Sequence, residues 1–361
     1  MATVTLKNIG AANLQGALDL TIGDREFVVL TGPAGSGGSV IVRLIAGLSD
    51  ISSGEIAFDN RRVDDLPPHS REVAFVSHDY ALYPVLTVYQ NLAIALQRRK
   101  FAEGEIKKRI SAVADALCLQ GKLEAVPKSL SNEDQRLLGL ARAMVRQPPV
   151  YLFDDPFAGL DPAAASRGRA EIAKLHQRAS ATIIYATSDP AEALALGTRT
   201  IILDAGSIRQ DAGAESVYAE PADLFVAKFF GDPPMNLVQG TLKPDRDGVI
   251  FSEAGEGTIS IRLPGSGFAG PAVLGFRPEA VEIASSADHG HSSKTGFRAL
   301  VDRAEPGGGA TDLYLRTGAH DLVCRSRRWE GTGGRRLQFE IDLAKTHLFD
   351  PDSGRRLTAQ T

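Results

Sequence analysis

The residues best placed to do chemistry lie in Thr31-Gly32-Pro33-Ala34-Gly35-Ser36-Gly37-Gly38-Ser39-Val40, between the apolar runs Phe27–Leu30 and Ile41–Ala46. A strand, a glycine-rich turn and a helix in that order gather backbone N–H groups around an anion, so the stretch reads as a phosphate-binding loop. In the pattern G-x-x-x-x-G-K-[ST], Gly32, Gly37 and Ser39 fall in register, whereas the lysine position is Gly38. The cradle is present without the cation that reaches the outer phosphates, and charge-assisted hydrogen bonds of that kind contribute roughly 1.5–3 kcal/mol each. A second stretch, Val150-Tyr151-Leu152-Phe153, is continuously apolar and closed by Asp154-Asp155-Pro156. That is the pattern of a strand buried in a parallel sheet with acids at its C-terminal end, where ligands of such sheets bind.

The elements that position these residues follow from periodicity. Residues 4–9 and 17–22 alternate apolar and polar, as half-buried strands do, and short apolar runs at 54–58, 73–76, 182–186 and 200–203 read as further strands. Ile106, Ile110, Val113 and Leu117 recur at helical spacing, and 137–145 and 191–196 read as helices. Strands alternating with helices imply an α/β domain with a largely parallel sheet. Near Gly231-Asp232-Pro233-Pro234 the texture changes to short strands (258–263, 272–276, 298–301, 312–315, 322–325 and 337–341) broken by Gly, Pro and Ser, which reads as a second, all-β domain, a small barrel.

Composition sets bounds. A chain of 361 residues, 43% hydrophobic and 23% charged with net charge −4, affords a large core and has no global pull toward nucleic acid or anionic lipid. Only Cys118 and Cys324 occur, which fits a reducing compartment, and no stretch approaches the ~20 apolar residues of a membrane span. The start of the chain lacks the basic and apolar regions of a signal peptide, so the expected location is the cytoplasm.

After the phosphate loop come Tyr80-Ala81-Leu82-Tyr83-Pro84, Leu130-Ser131 followed by Leu140-Ala141-Arg142-Ala143, Tyr151–Pro156, and Gly159-Leu160-Asp161. In this order they resemble the ATPase subunit of an ABC transporter. Gly275-Phe276-Arg277-Pro278-Glu279 and His347-Leu348-Phe349-Asp350 resemble the C-terminal β-domain of the carbohydrate-importer branch, the maltose and glycerol-phosphate type. The resemblance covers nearly the whole chain. It implies a P-loop ATPase domain over residues 1–232, with a helical subdomain at about 85–150, and a small OB-like regulatory domain over 233–361.

In that family two ATPase subunits sandwich two ATP molecules, each between one phosphate loop and the other subunit's signature loop, and closure drives the permease. The resemblance implies that Gly32, Pro33, Ala34, Gly35, Ser36, Gly37, Gly38, Ser39 and Val40 hold the phosphates. It places Mg²⁺ on Ser39 and, through water, on Asp154. His78 stands at the glutamine that ligates Mg²⁺, Asp155 at the catalytic glutamate, and Ser188 at the histidine that contacts the γ-phosphate. The signature Leu-Ser-Gly-Gly-Gln corresponds to Leu130-Ser131-Asn132-Glu133-Asp134, and Asp161, which communicates across the dimer, is kept.

Most of these positions depart from the pattern. Imidazole is a poor ligand for Mg²⁺, which prefers oxygen. A general base one methylene short, displaced by ~1 Å, loses on the order of a hundredfold in rate. Glu133 and Asp134 add like-charge repulsion beside a polyphosphate unless they turn out to solvent. The aromatic residue that would stack on adenine, near Asn8–Leu14, is missing, since no aromatic residue precedes Phe27. The implied subunit binds ATP weakly with Mg²⁺ and hydrolyses it slowly or not at all by itself.

A homodimer then has two weak sites, and a heterodimer with an intact paralogue has this chain's defects divided between both composite sites. The coupling surface is retained: Tyr80, Leu82, Tyr83, Pro84, Leu86 and Val88 offer an apolar groove to a permease helix, although packing of the helical subdomain accounts for such residues equally well. Membrane contact is expected through the permease alone, on the inner face. The alternative is a non-catalytic regulatory or scaffold protein on the same fold.

Overall fold

The computed structural model describes residues 2–77, 79–246, 248–264, 267–284, 294–327, 329, 331 and 333–358. They pack as two compact units, Met1–Ala214 and Glu215–Thr361, so the division falls before the change in composition at Gly231–Pro234.

The first unit contains, in chain order, β1 (Val4–Gly10), β2 (Leu18–Ile22), β3 (Phe27–Thr31), α1 (Gly38–Ala46), β4 (Ser53–Phe58), β5 (Arg61–Arg62), β6 (Val73–Ser77), α2 (Val88–Arg98), α3 (Glu103–Ala116), α4 (Asn132–Met144), β7 (Val150–Asp154), α5 (Pro162–Ala179), β8 (Thr182–Thr187), α6 (Pro190–Leu196), β9 (Arg199–Asp204) and β10 (Ser207–Ala212). A six-stranded sheet runs β10-β9-β3-β8-β7-β6, parallel except for β10, and an antiparallel sheet runs β2-β1-β4-β5. Every residue of β3 and β7 is buried, which explains their unbroken apolar runs. Helix α1 places Ile41, Val42, Leu44 and Ile45 in one core cluster with Val4, Leu6 and Ile9 of β1 and Val28 and Leu30 of β3. Its C-terminal carbonyls are closed by buried Arg71, which donates to Leu44 O at 2.7 Å and Ile45 O at 3.2 Å. In α3 Ile106 and Ile110 of the expected stripe are buried, with Ala114 beside them, Val113 is half-buried, and Leu117 is buried just past the helix end.

The second unit begins with α7 (Ala214–Ala219) and α8 (Leu224–Phe229), and is otherwise all-β, as the sequence leads one to expect. Its strands are β11 (Asn236–Asp245), β12 (Gly248–Glu253), β13 (Ser260–Pro264), β14 (Gly270–Phe276), β15 (Val281–Ile283), β16 (Lys294–Pro306), β17 (Thr311–Arg316), β18 (Asp321–Ser326), β19 (Arg335–Asp342) and β20 (Thr346–Phe349). They form two five-stranded antiparallel sheets, β13-β12-β11-β14-β20 and β15-β19-β16-β17-β18. Phe251, Phe276, Phe297 and Phe339 lie in their shared core. Arg277 is a structural residue, since its buried guanidinium donates to the carbonyls of Tyr218, Ala227 and Phe230 and lies 4.0 Å over the Tyr218 ring. The Gly-Phe-Arg-Pro-Glu stretch therefore ties α7 and α8 to the sheets of their own unit.

Candidate functional site

Because β3 is central and parallel, it delivers the glycine loop at the C-terminal edge of the sheet. Ser36 N–H donates to Pro33 O at 2.9 Å, closing the turn, and Gly206 N–H donates to Ser36 O at 2.7 Å, pinning it. Gly37 caps α1 with φ 110°, a conformation that disfavours any side chain, and a Cβ there would lie 3.0 Å from Leu14 Cδ2 and 3.1 Å from Gly206 Cα. The N–H groups of Gly38, Ser39 and Val40 in the first turn have no intrahelical acceptor, which is what an anion requires of them. Space does not impose glycine at position 38. A Cβ would sit 3.5 Å from Ala186 Cβ and 3.6 Å from Leu30 O, in ordinary contact.

The acids that close β7 meet this loop. Ser39 Oγ donates to Asp154 Oδ1 at 2.5 Å, which puts a hydroxyl and a buried carboxylate side by side, an oxygen donor set suited to Mg²⁺. Asp155, at φ 47°, turns the other way: Thr187 Oγ1 donates to its Oδ1 at 3.4 Å and Ser188 Oγ to its Oδ2 at 3.3 Å. Burial, and then the neighbouring Glu192 carboxylate, push the Asp155 carboxyl above its ordinary range, against the pull of those two hydroxyls. Asp155 and Ser188, far apart in sequence, are thus brought together by the parallel pairing of β7 with β8. Thr187 and Glu192 carry no signal of their own in the sequence. Glu192 looks like an ordinary acid in a first helical turn, yet it is buried, accepting from Tyr185 Oη at 3.0 Å and pairing with Arg169 at 3.1 Å. His78 lies outside the described residues.

Within the chain the signature segment is tied to its neighbours. Ser131 caps α4, its Oγ accepting Asp134 N–H at 3.1 Å. Asp134 pairs with Lys122 at 2.6 Å, and Glu133 pairs with Arg167 of α5 at 2.6 Å, so neither acid is bare and neither simply points to solvent. Although burial opposes it, hydrogen bonds from Lys122 and Ser131 hold the Asp134 carboxyl below its ordinary range. Among the described residues, the side-chain bonds of Glu133 and Asp134 run to these neighbours and not to the glycine loop. Asp161 caps α5 through Ala163 N–H and Ala164 N–H.

The segment after β6 is shaped from beneath. Buried Asn91 accepts Tyr83 N–H at 2.9 Å and donates to the carbonyls of Tyr83, Leu86 and Thr87. Arg136 and Arg142 lie 5.2 and 4.8 Å over the rings of Tyr80 and Tyr83. Val88 is buried in α2, whereas Pro84 is exposed and Val85 is 83% exposed. Packing thus takes Val88 and the faces of both tyrosines, and leaves a smaller apolar tip than the sequence implied.

A buried parallel strand, a glycine turn capping a helix, and a serine bonded to the aspartate that ends the neighbouring strand define a P-loop nucleotide-binding fold. Comparison with known proteins narrows the class. The family model described as ABC transporter matches residues 16–158. The chain is 37% identical to the alpha-glucoside transport ATP-binding protein AglK of Rhizobium meliloti, over 95% of each chain. It is 36% identical to the sn-glycerol-3-phosphate import ATP-binding protein UgpC of Paraburkholderia xenovorans, over 99% of each. Among solved structures, the dimeric ATP-binding cassette MJ0796 with ADP and phosphate superposes with a TM-score of 0.53 at 26% identity, covering 58% of this chain and 98% of that one. The chain belongs to the ATP-binding proteins of ABC transporters. This family binds ATP with Mg²⁺, dimerises and works with permease subunits. No helix among the described residues is long and apolar enough to cross a membrane.

Proposed function

We propose that this chain is the ATP-binding subunit of an importer for a sugar or polyol. In this proposal it is weakly active or inactive in hydrolysis alone, and docks on the inner face of the membrane through its permease as a homodimer or beside an active paralogue. The solute class is supported by the names of relatives matched over nearly their whole length, an alpha-glucoside transporter and a glycerol-phosphate importer. Gly32–Val40 hold the phosphates, and Ser39 with Asp154 would hold Mg²⁺, which supplies charge neutralisation when bound.

The observation that carries the catalytic part is the environment of Asp155. Its carboxylate is engaged by Thr187 and Ser188 hydroxyls and biased toward the protonated form by burial, while position 38 offers no ammonium. A general base works in its ionised form, and Asp155 is one methylene short, has its oxygens engaged by the Thr187 and Ser188 hydroxyls, and lies where burial favours the neutral form. Steady-state ATP turnover of the purified chain tests this against the triple variant Gly38→Lys, Asp155→Glu, Ser188→His. Turnover of the variant is expected to exceed that of the natural chain by on the order of a hundredfold. A natural chain that turns over as fast as the variant, and loses that activity with Asp154→Ala, overturns the proposal of weak hydrolysis.

A further inference from the structure

In the second unit, side chains tie the two sheets together where β12 stops pairing with β11. The ladder between these strands ends at Gly240 and Glu253, so Gln239 lies just past it. The turn Thr317–His320 between β17 and β18, from the other sheet, takes the place of a ladder partner there. His320 Nε2 accepts Gln239 N–H at 3.1 Å, and Nδ1 lies 2.7 Å from Glu253 Oε1. A backbone N–H only donates, so Nε2 is the bare nitrogen, and Nδ1 carries the hydrogen that it gives to the carboxylate. The ring is thus neutral and held in one tautomer. A second tie starts from Asn236, earlier on β11, whose side chain accepts Val323 N–H at 2.7 Å and donates to Val323 O at 2.8 Å. That tie contains no titratable group.

We infer that His320 and Glu253 form an acid-released latch between the two sheets, closed while the imidazole is neutral and open at Gln239 once the ring takes a second proton. The two ring nitrogens are unequal. Nδ1 faces a carboxylate that favours a charged ring. The Glu253 side chain is fully buried and held by Ile259 N–H at 3.0 Å and by the Thr317 hydroxyl, so it stays in place. Nε2 faces a donor, and a proton there sets N–H against N–H. Charging the ring therefore keeps the Glu253 bond and breaks the Gln239 bond, which lies near enough to the surface for water to take over. Among the other charged groups around the ring, Asp321 is paired with Arg316 on its own hairpin, and Asp245, farther along β11, with Arg262. Glu256 in the turn after β12 and Lys243 of β11 are exposed to solvent. Opening releases one tie and leaves that of Asn236 in place.

Hydrogen exchange of the full chain, followed at single amides at pH 7.5 and pH 5.0 and corrected for intrinsic rates, tests this. Protection of Gln239 N–H is expected to fall about tenfold at pH 5.0, as loss of one hydrogen bond implies. Val323 N–H, held by Asn236, and Ile259 N–H, held by Glu253, should change by less than about twofold. His320→Gln, whose amide can accept from Gln239 and donate to Glu253, should keep Gln239 protected at both pH values. A long-range ¹H–¹⁵N spectrum at pH 7.5 should show hydrogen on His320 Nδ1 alone. An unchanged Gln239, equal losses at Gln239 and Val323, hydrogen on Nε2 at pH 7.5, or a loss at Gln239 that persists in His320→Gln overturns the latch. The first three of these are read on the natural chain, so the test stands even where the variant does not fold.

Discussion

Set against the patterns that the sequence resemblance implies, the glycine loop and the Ser131–Asp134 segment differ in opposite physical senses. At the loop the lysine position carries no charge: position 38 is glycine, although a Cβ there would make ordinary contacts with Ala186 and Leu30, and the Ser39 hydroxyl beside it donates to the Asp154 carboxylate. At the signature segment two negative charges are present, and each has acquired a cation within the same chain, Lys122 for Asp134 and Arg167 for Glu133. One change is uncompensated, the other is offset locally. Under the proposed function, the segment that would meet a partner subunit is electrostatically balanced within the chain, whereas the loop that would face the phosphates is not.

If that contrast is right, the loop should be intolerant in shape and permissive in charge. The largest effect is expected for Gly32→Ala, whose Cβ would lie 2.2 Å from the Leu203 carbonyl oxygen and 2.7 Å from Ser36 Cβ. The first of these is backbone in a buried strand and cannot move aside, so thermal unfolding should show a loss of about 3 kcal/mol, together with loss of nucleotide binding. Gly38→Lys should act in the other direction. Its Cβ fits without displacement, so the lysine restores one charge-assisted contact and Mg-ATP binding should tighten by about tenfold in a calorimetric titration. No gain would show that this loop does not hold phosphates in the way the proposed function requires.

Asp155 sharpens the comparison through pH. Its carboxyl is held above the ordinary range in the folded chain, by burial first and Glu192 next, so the folded state binds a proton more readily than the unfolded state. Stability contributed by this group is therefore fullest below the ordinary carboxylate value and declines as pH rises through the raised value. Asp155→Asn removes that decline. Its melting temperature should exceed that of the natural chain at pH 7.5, and the gap should close on acidification toward pH 4.

The fold was largely legible because burial writes itself into period: β3 and β7 read as unbroken apolar runs, α3 as a 3.6-residue stripe, and the glycine loop as punctuation between strand and helix. The acids at the end of β7 could be placed from the sequence alone. Their partners could not, since the meeting of Asp155 with Ser188 depends on strand order, and a run of apolar residues carries no record of which strand lies beside it. The same holds for Arg167, which looks like any solvent-facing residue of α5 until the turn at Ser131 brings Glu133 against it. The division between Ala214 and Glu215 was hidden for a related reason: α7 and α8 have helical composition like the first unit, but their carbonyls are bound by Arg277 of the second.

The smallest expected effect is also the most specific to the contrast. Arg167 and Glu133 form a pair that is 60% and 32% exposed at the side chain, and exposed pairs contribute little to folding. Arg167→Ala should accordingly leave the melting temperature unchanged. Its consequence belongs to assembly, because it leaves Glu133 uncompensated in the first turn of α4, which under the proposed function faces a partner's phosphates. Sedimentation velocity in Mg-ATP at 0.05 M salt should show dimerisation weakened by about threefold, with Glu133→Gln restoring it in the Arg167→Ala background. At 1 M salt the screening length falls to about 3 Å and the difference should vanish. Equal dimerisation of the two chains at low salt would mean that Glu133 does not face the assembled site, and the signature segment would then be no better compensated than the loop.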